Sequence, residues 1–121
     1  MQANLALVQI AVGLAVKHPT VSNVDKLARY AQQAHDNLDA IRNDFALTNE
    51  DSGTLGNAEL ADFTAANDLK NSMGSLVTYT GTPNAATLAA FTTQYQKARS
   101  DWNYGVRTIW RLARKKHPPT V

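Results

Sequence analysis

Apolar residues recur along most of this chain at alternating steps of three and four, the spacing that keeps side chains on one face of an α-helix. The clearest run is Val24, Leu27, Ala31, Ala34, Leu38, Ile41, Phe45 and Thr48. A second, Leu88, Phe91, Tyr95, Ala98, Trp102, Gly105, Ile109 and Leu112, keeps the same rhythm. Between them Phe63, Ala66, Leu69, Met73, Leu76 and Val77 share a face. Stripes that drift so slowly predict helices packed with a slight left-handed supercoil. Gly and Pro break the pattern at His18-Pro19-Thr20, at 51–57 and at Gly81-Thr82-Pro83-Asn84, because neither sits cheaply inside a helix. No apolar–polar alternation argues for a strand. The expectation is all-α: a single domain over residues 1–121, folded as an antiparallel up-down-up-down four-helix bundle. Ser22 or Asn23 is expected to cap the second helix, and Thr82, with Pro83 in the first turn, the fourth. Glu59 and Asp62 fall in the expected first turn of the third, where the helix dipole favours carboxylates.

The first segment is different. Leu5, Leu7, Val8, Ile10, Val12, Leu14 and Val16 ring the helix and leave only a narrow strip of Gln2, Ala6, Gln9 and Gly13. A helix apolar nearly all round must be covered on most sides. In a small bundle each helix ordinarily keeps a broad wet face, so contact with another protomer is favoured over burial by its own chain alone. The lengths also mismatch. A fourth helix from Pro83 to Lys116 would run ~50 Å, against ~24 Å for residues 2–17. A long C-terminal helix, either kinked near Gly105 or overhanging the bundle, is therefore expected.

Composition bounds the chemistry. The 121 residues contain no Cys, which removes disulfides and thiolate metal or redox sites. No basic segment follows Met1, so the apolar opening does not read as a secretory signal. The formal net charge of +2 conceals two opposed blocks. Residues 36–68 carry Asp36, Asp39, Asp44, Glu50, Asp51, Glu59, Asp62 and Asp68 against Arg42; residues 97–116 carry Lys97, Arg99, Arg107, Arg111, Arg114, Lys115 and Lys116 against Asp101. In an up-down bundle both blocks meet at one pole. Neutralisation within the molecule is the expected arrangement, with steering between molecules as the other.

Arg107, Arg111 and Arg114 form one helical stripe, with Tyr104 beside Arg107 and Lys115 at its edge. Guanidinium groups suit phosphate and an exposed ring can stack on a base, which makes nucleic acid the alternative partner. Residues 48–59 loosely resemble an EF-hand calcium loop, with Gly53 at the sharp turn, Leu55 at the apolar position and Glu59 last; Thr48 stands where the motif needs Asp. Arg111 and His117 match the spacing of the Arg-x(4–6)-His pattern of HEPN ribonucleases, but Leu112 occupies a position usually polar there and Pro118-Pro119 follow at once. His18, His35 and His117 show no metal-ligand spacing. No catalytic, cofactor or metal residues are assigned.

The sequence thus reads as a non-enzymatic structural or interaction protein. It would self-assemble, as a homo-oligomer, or dock a protein partner through Leu5, Val8, Val12 and Trp110, oriented by the basic end of the fourth helix. An Ala-, Thr- and Asn-rich composition without Cys also suits phage or virion assembly components.

Overall fold

A computed structural model describes residues 1–48 and 53–121. Its four helices are α1 (Gln2–Lys17), α2 (Val21–Thr48), α3 (Gly53–Gly81) and α4 (Ala85–Leu112). They form an all-α four-helix bundle in which each packs on the next along the chain. The inward stripes are largely those set by the spacing of apolar residues. Leu27, Ala31, Ala34 and Leu38 come from α2, and Ala65, Ala66, Leu69, Met73 and Leu76 from α3. Phe91, Tyr95, Ala98, Trp102 and Val106 come from α4. Burying each large side chain contributes ~1.5–3 kcal/mol, and the interspersed alanines let the backbones approach.

The caps differ from expectation by two or three residues. Thr20 Oγ1 accepts from Asn23 N at 3.2 Å, so Thr20 caps α2. Asn84 in extended backbone accepts from Thr87 N at 2.8 Å, so Asn84 caps α4. Both sit one place past a proline that ends the preceding turn. The third helix already begins at Gly53, whose φ of 73° suits glycine. Glu59 and Asp62 therefore lie in the helix body, not its first turn. For the same reason Gly53–Glu59 are helical and do not form a calcium-type loop.

The fourth helix is long beside α1, as expected, but it ends at Leu112 and not at Lys116. It spans 28 residues, the length of α2, and the short element is α1 with 16. The helix stops at Leu112 because Arg114 turns left-handed, with φ of 55°. Its N–H then bonds the Arg111 carbonyl at 3.0 Å and the next, Lys115 N–H, the Trp110 carbonyl at 2.8 Å. These paired bonds are a Schellman closure with arginine where glycine is usual.

After a second left-handed residue, His117, the chain turns back along α4. Trp102 Nε1 donates to the Pro119 carbonyl at 3.2 Å. Asn103 reads both backbone groups of Val121, accepting from its N–H at 2.7 Å and donating to its carbonyl at 3.0 Å. Gln2 of α1 and Arg99 of α4 donate to the carbonyls of Thr120 and Val121. The returning segment stands where α1 has run out.

The α1–α4 seam is the loose one. No Cα of α1 comes within 8 Å of α4, and the gap is bridged by Gln9 Nε2 donating to the Tyr95 hydroxyl at 2.9 Å. The α3–α4 seam is the tight one. A Cβ placed on Gly105 would lie 2.9 Å from the Ala58 carbonyl oxygen and would overlap the Asp62 carboxyl group. Gly105→Ala should therefore lower stability by ~1–3 kcal/mol through this clash, although alanine is intrinsically the better helix former by ~1 kcal/mol. Chemical denaturation of the two proteins measures the sign.

Candidate interaction surfaces

The apolar ring of α1 divides into two faces. Leu5, Val8, Ala11 and Ala15 point into the bundle and are buried by their own chain. Leu5 and Val8, expected to face a partner, are thus core residues: the α2–α3–α4 layer offers a groove that takes one side of α1. Val12 is half-buried and lines a hollow of about 150 Å³ with Gln9, Phe91 and Tyr95. The opposite face carries Ala3, Leu7, Ile10 and Leu14, spaced four, three and four apart. Leu7, Ile10 and Leu14 remain 42%, 63% and 41% exposed. That spacing is a coiled-coil seam, and the sequence alone did not separate it from the buried face because both are apolar.

Trp110 is half-buried at the bundle end, beside Val106 and Pro119. The other residues of the fourth helix end are outside. Tyr104 is 62% exposed, and Arg107, Arg111, Arg114 and Lys115 are exposed. Tyr104, Arg107 and Arg111 share one outward stripe of α4. Arg114 and Lys115 lie beyond it in the Schellman turn, which carries them off the helical path. His117 follows that turn, so Arg111 and His117 do not share a helix face.

Two carboxylates of the acidic block pair with close neighbours. Asp39 binds Lys70 Nζ at 2.9 Å and Arg42 at 3.1 Å, and the Lys70 hydrogen bond holds its carboxyl below the ordinary range. Asp36 takes His35 Nδ1 at 3.0 Å and is lowered by it. Lys97 pairs with Asp101 along α4 at 3.1 Å. Among the described residues, no ion pair joins Arg107, Arg111, Arg114, Lys115 or Lys116 to an acidic side chain. Glu50 and Asp51 lie outside the described residues. Among the described residues no ion pair joins the two blocks, although Asp68 of the first lies near enough to Lys97 of the second to favour its charged form.

One polar residue escaped the sequence reading. Asp62 is fully buried on α3 beneath Gly105, and neither carboxylate oxygen has a hydrogen-bond partner among the described residues. Burial pushes its pKa up to about 8, since an unpaired charge loses its hydration there. A step of three or four from Ala58, Ala65 and Ala66 was the available signal that this carboxylate sits on the apolar stripe.

No helix among the described residues is long and apolar enough to cross a membrane. Comparison with protein-family models, with curated proteins and with solved structures finds no match to the chain. The surfaces must be read on their own physics.

Asp62 sets a pH dependence of stability. Its folded pKa of about 8 lies above the ~3.9 of an unfolded aspartate, so the folded state holds the proton more tightly. Its contribution is complete below pH ~4 and is lost as pH rises to about 8, at up to ~1.4 kcal/mol per unit. Denaturation midpoints followed from pH 5 to pH 9 should fall, and Asp62→Asn should flatten most of that slope.

Proposed function

We propose that this protein is a non-enzymatic interaction module that self-assembles, or docks a protein partner, through the outer face of α1. The observation that carries this reading is the exposed stripe of Leu7, Ile10 and Leu14 at heptad spacing on a helix whose other face is already buried. Single exposed apolar residues are ordinary, but a row of three in register on one helix is the geometry that a second helix fills. The stripe alone is smaller than a stable interface, which buries ~1,200–2,000 Å² in total. Flanking surface has to contribute, and the cations at the end of α4, which pair with no described acidic side chain, supply long-range orientation toward an acidic face. The acidic block of a second copy offers one such face. Leu5 and Val8 act in this reading as the anchor that holds α1 in place, and Val12 and Trp110 as its margins.

A second reading, nucleic-acid binding, is favoured by one observation: Tyr104 stands exposed in line with Arg107 and Arg111, neither of which is engaged by an acidic partner among the described residues. Phosphate contacts and ring stacking would act together there.

Light scattering across a concentration series tests the first reading: the mass should rise above that of the monomer, and Ile10→Glu should return it to monomer with little change in thermal midpoint. A parent that stays monomeric throughout, and captures no protein partner by the α1 face, defeats it. For the second reading, retention on a single-stranded oligonucleotide should weaken steeply with salt and drop in Arg107→Ala/Arg111→Ala/Arg114→Ala, with the salt slope reduced by about the number of phosphate contacts removed.

A further inference from the structure

The end of the bundle opposite the α1–α2 turn contains a cavity of about 310 Å³. It exists because α1 starts part-way along the bundle and the returning segment fills the vacated column only in part. Its walls are Met1 and Gln2 of the α1 start, Ile41 of α2, Trp102, Val106 and Trp110 of α4, and Pro119 of the returning segment. Apart from Gln2 the lining is apolar, and the hollow opens to solvent on one side, which gives a ligand a way in. An apolar cavity of ~150 Å³ takes a benzene ring, so this one has room for a second fused ring.

The walls are fixed in place. The Pro119 carbonyl is held by Trp102 Nε1, and the two residues that follow it by Gln2, Arg99 and Asn103. Two indoles and a proline ring give flat faces on which an aromatic ring stacks. The two tryptophans differ in one respect. The Trp102 N–H is committed to Pro119, whereas the Trp110 indole N–H makes no hydrogen bond with any described residue. A half-buried donor beside an apolar hollow is the polar group that fixes a ligand's orientation.

We propose that this cavity is a ligand site for a small, flat, mainly apolar molecule of two fused rings carrying one hydrogen-bond acceptor, to which the Trp110 indole N–H donates. The site is separate from the outer face of α1 and does not depend on self-assembly. Quinoline is the simplest probe of this shape, and naphthalene is its counterpart without the acceptor.

Calorimetric titration of the full chain with quinoline should give saturable one-to-one binding, weaker for naphthalene. In a nitrogen–proton correlation spectrum the Trp110 indole proton should move on saturation while that of Trp102 stays near its free position. Ile41→Phe, which fills the hollow, should weaken binding by at least about tenfold, while Ile10→Glu on the α1 outer face leaves it within about twofold. The proposal is overturned by an absence of saturable binding, or by a folded Ile41→Phe protein that binds as the parent does. Loss of binding on Ile10→Glu would overturn it too, by moving the probe to the α1 face. Should Ile41→Phe fail to fold, a stationary Trp110 indole proton at saturating quinoline overturns it in the parent. The oligomeric state, read by light scattering, bears on the docking surface alone.

Discussion

A bundle of four columns stays closed only if each column is filled over its whole height, and α1 fills little more than half of its own. At ~1.5 Å per residue it spans ~24 Å beside neighbours of ~42 Å. The unfilled remainder dictates much of the molecule. The chain beyond Leu112 has to stop, reverse and lie back against α4, and it does so through two left-handed residues and a set of side-chain bonds to its backbone. That substitute is an irregular strand of four or five residues where a helix would stand. It covers Trp102 but leaves room beside Trp110. The short first helix thus accounts for the fold of the C-terminus and for the cavity together.

The same helix carries two apolar faces because it has two neighbourhoods. One face meets the groove between its neighbours, with α2 close and α4 held at a distance by the Gln9–Tyr95 bridge. The other meets solvent in this protomer. Charge is arranged with similar economy. Asp36, Asp39 and Asp101 find partners within their own helix or the next one, and no described acidic side chain pairs with the cations at the end of α4. Surface pairs of this kind contribute only ~0–1 kcal/mol each, so they trim the fold and leave the basic end to act on something outside it.

Much of this was legible before any coordinates. The three-and-four rhythm placed α2, α3 and α4 and the large inward side chains of each, since burial of one stripe is what selects a helical face, but it passed over small or polar inward residues such as Ala58, Ala65 and Ser72. The boundaries were less visible. Pro19 and Pro83 marked the turns, yet the caps fell to Thr20 and Asn84, because which side chain reaches the free amides depends on local backbone angles. The end of α4 was missed for a related reason: an arginine adopting the left-handed conformation leaves no mark in sequence. Leu5 and Val8 could not be told from Leu7 and Ile10 by hydropathy, because periodicity carries no information when every position is apolar. Asp62 was placed in a first turn because carboxylates favour helix starts, and only the start at Gly53 puts it in the helix body.

The neutral carboxyl sealed beneath Gly105 has a bearing on what the molecule looks like electrically. A tally from sequence treats every aspartate as ionised and arrives at +2. With Asp62 retaining its proton near neutrality, the native chain migrates as a species one unit more positive than that tally. Unfolding at that pH then liberates a hydrogen ion into the buffer, so the apparent heat of melting varies with the ionisation enthalpy of whichever buffer receives it.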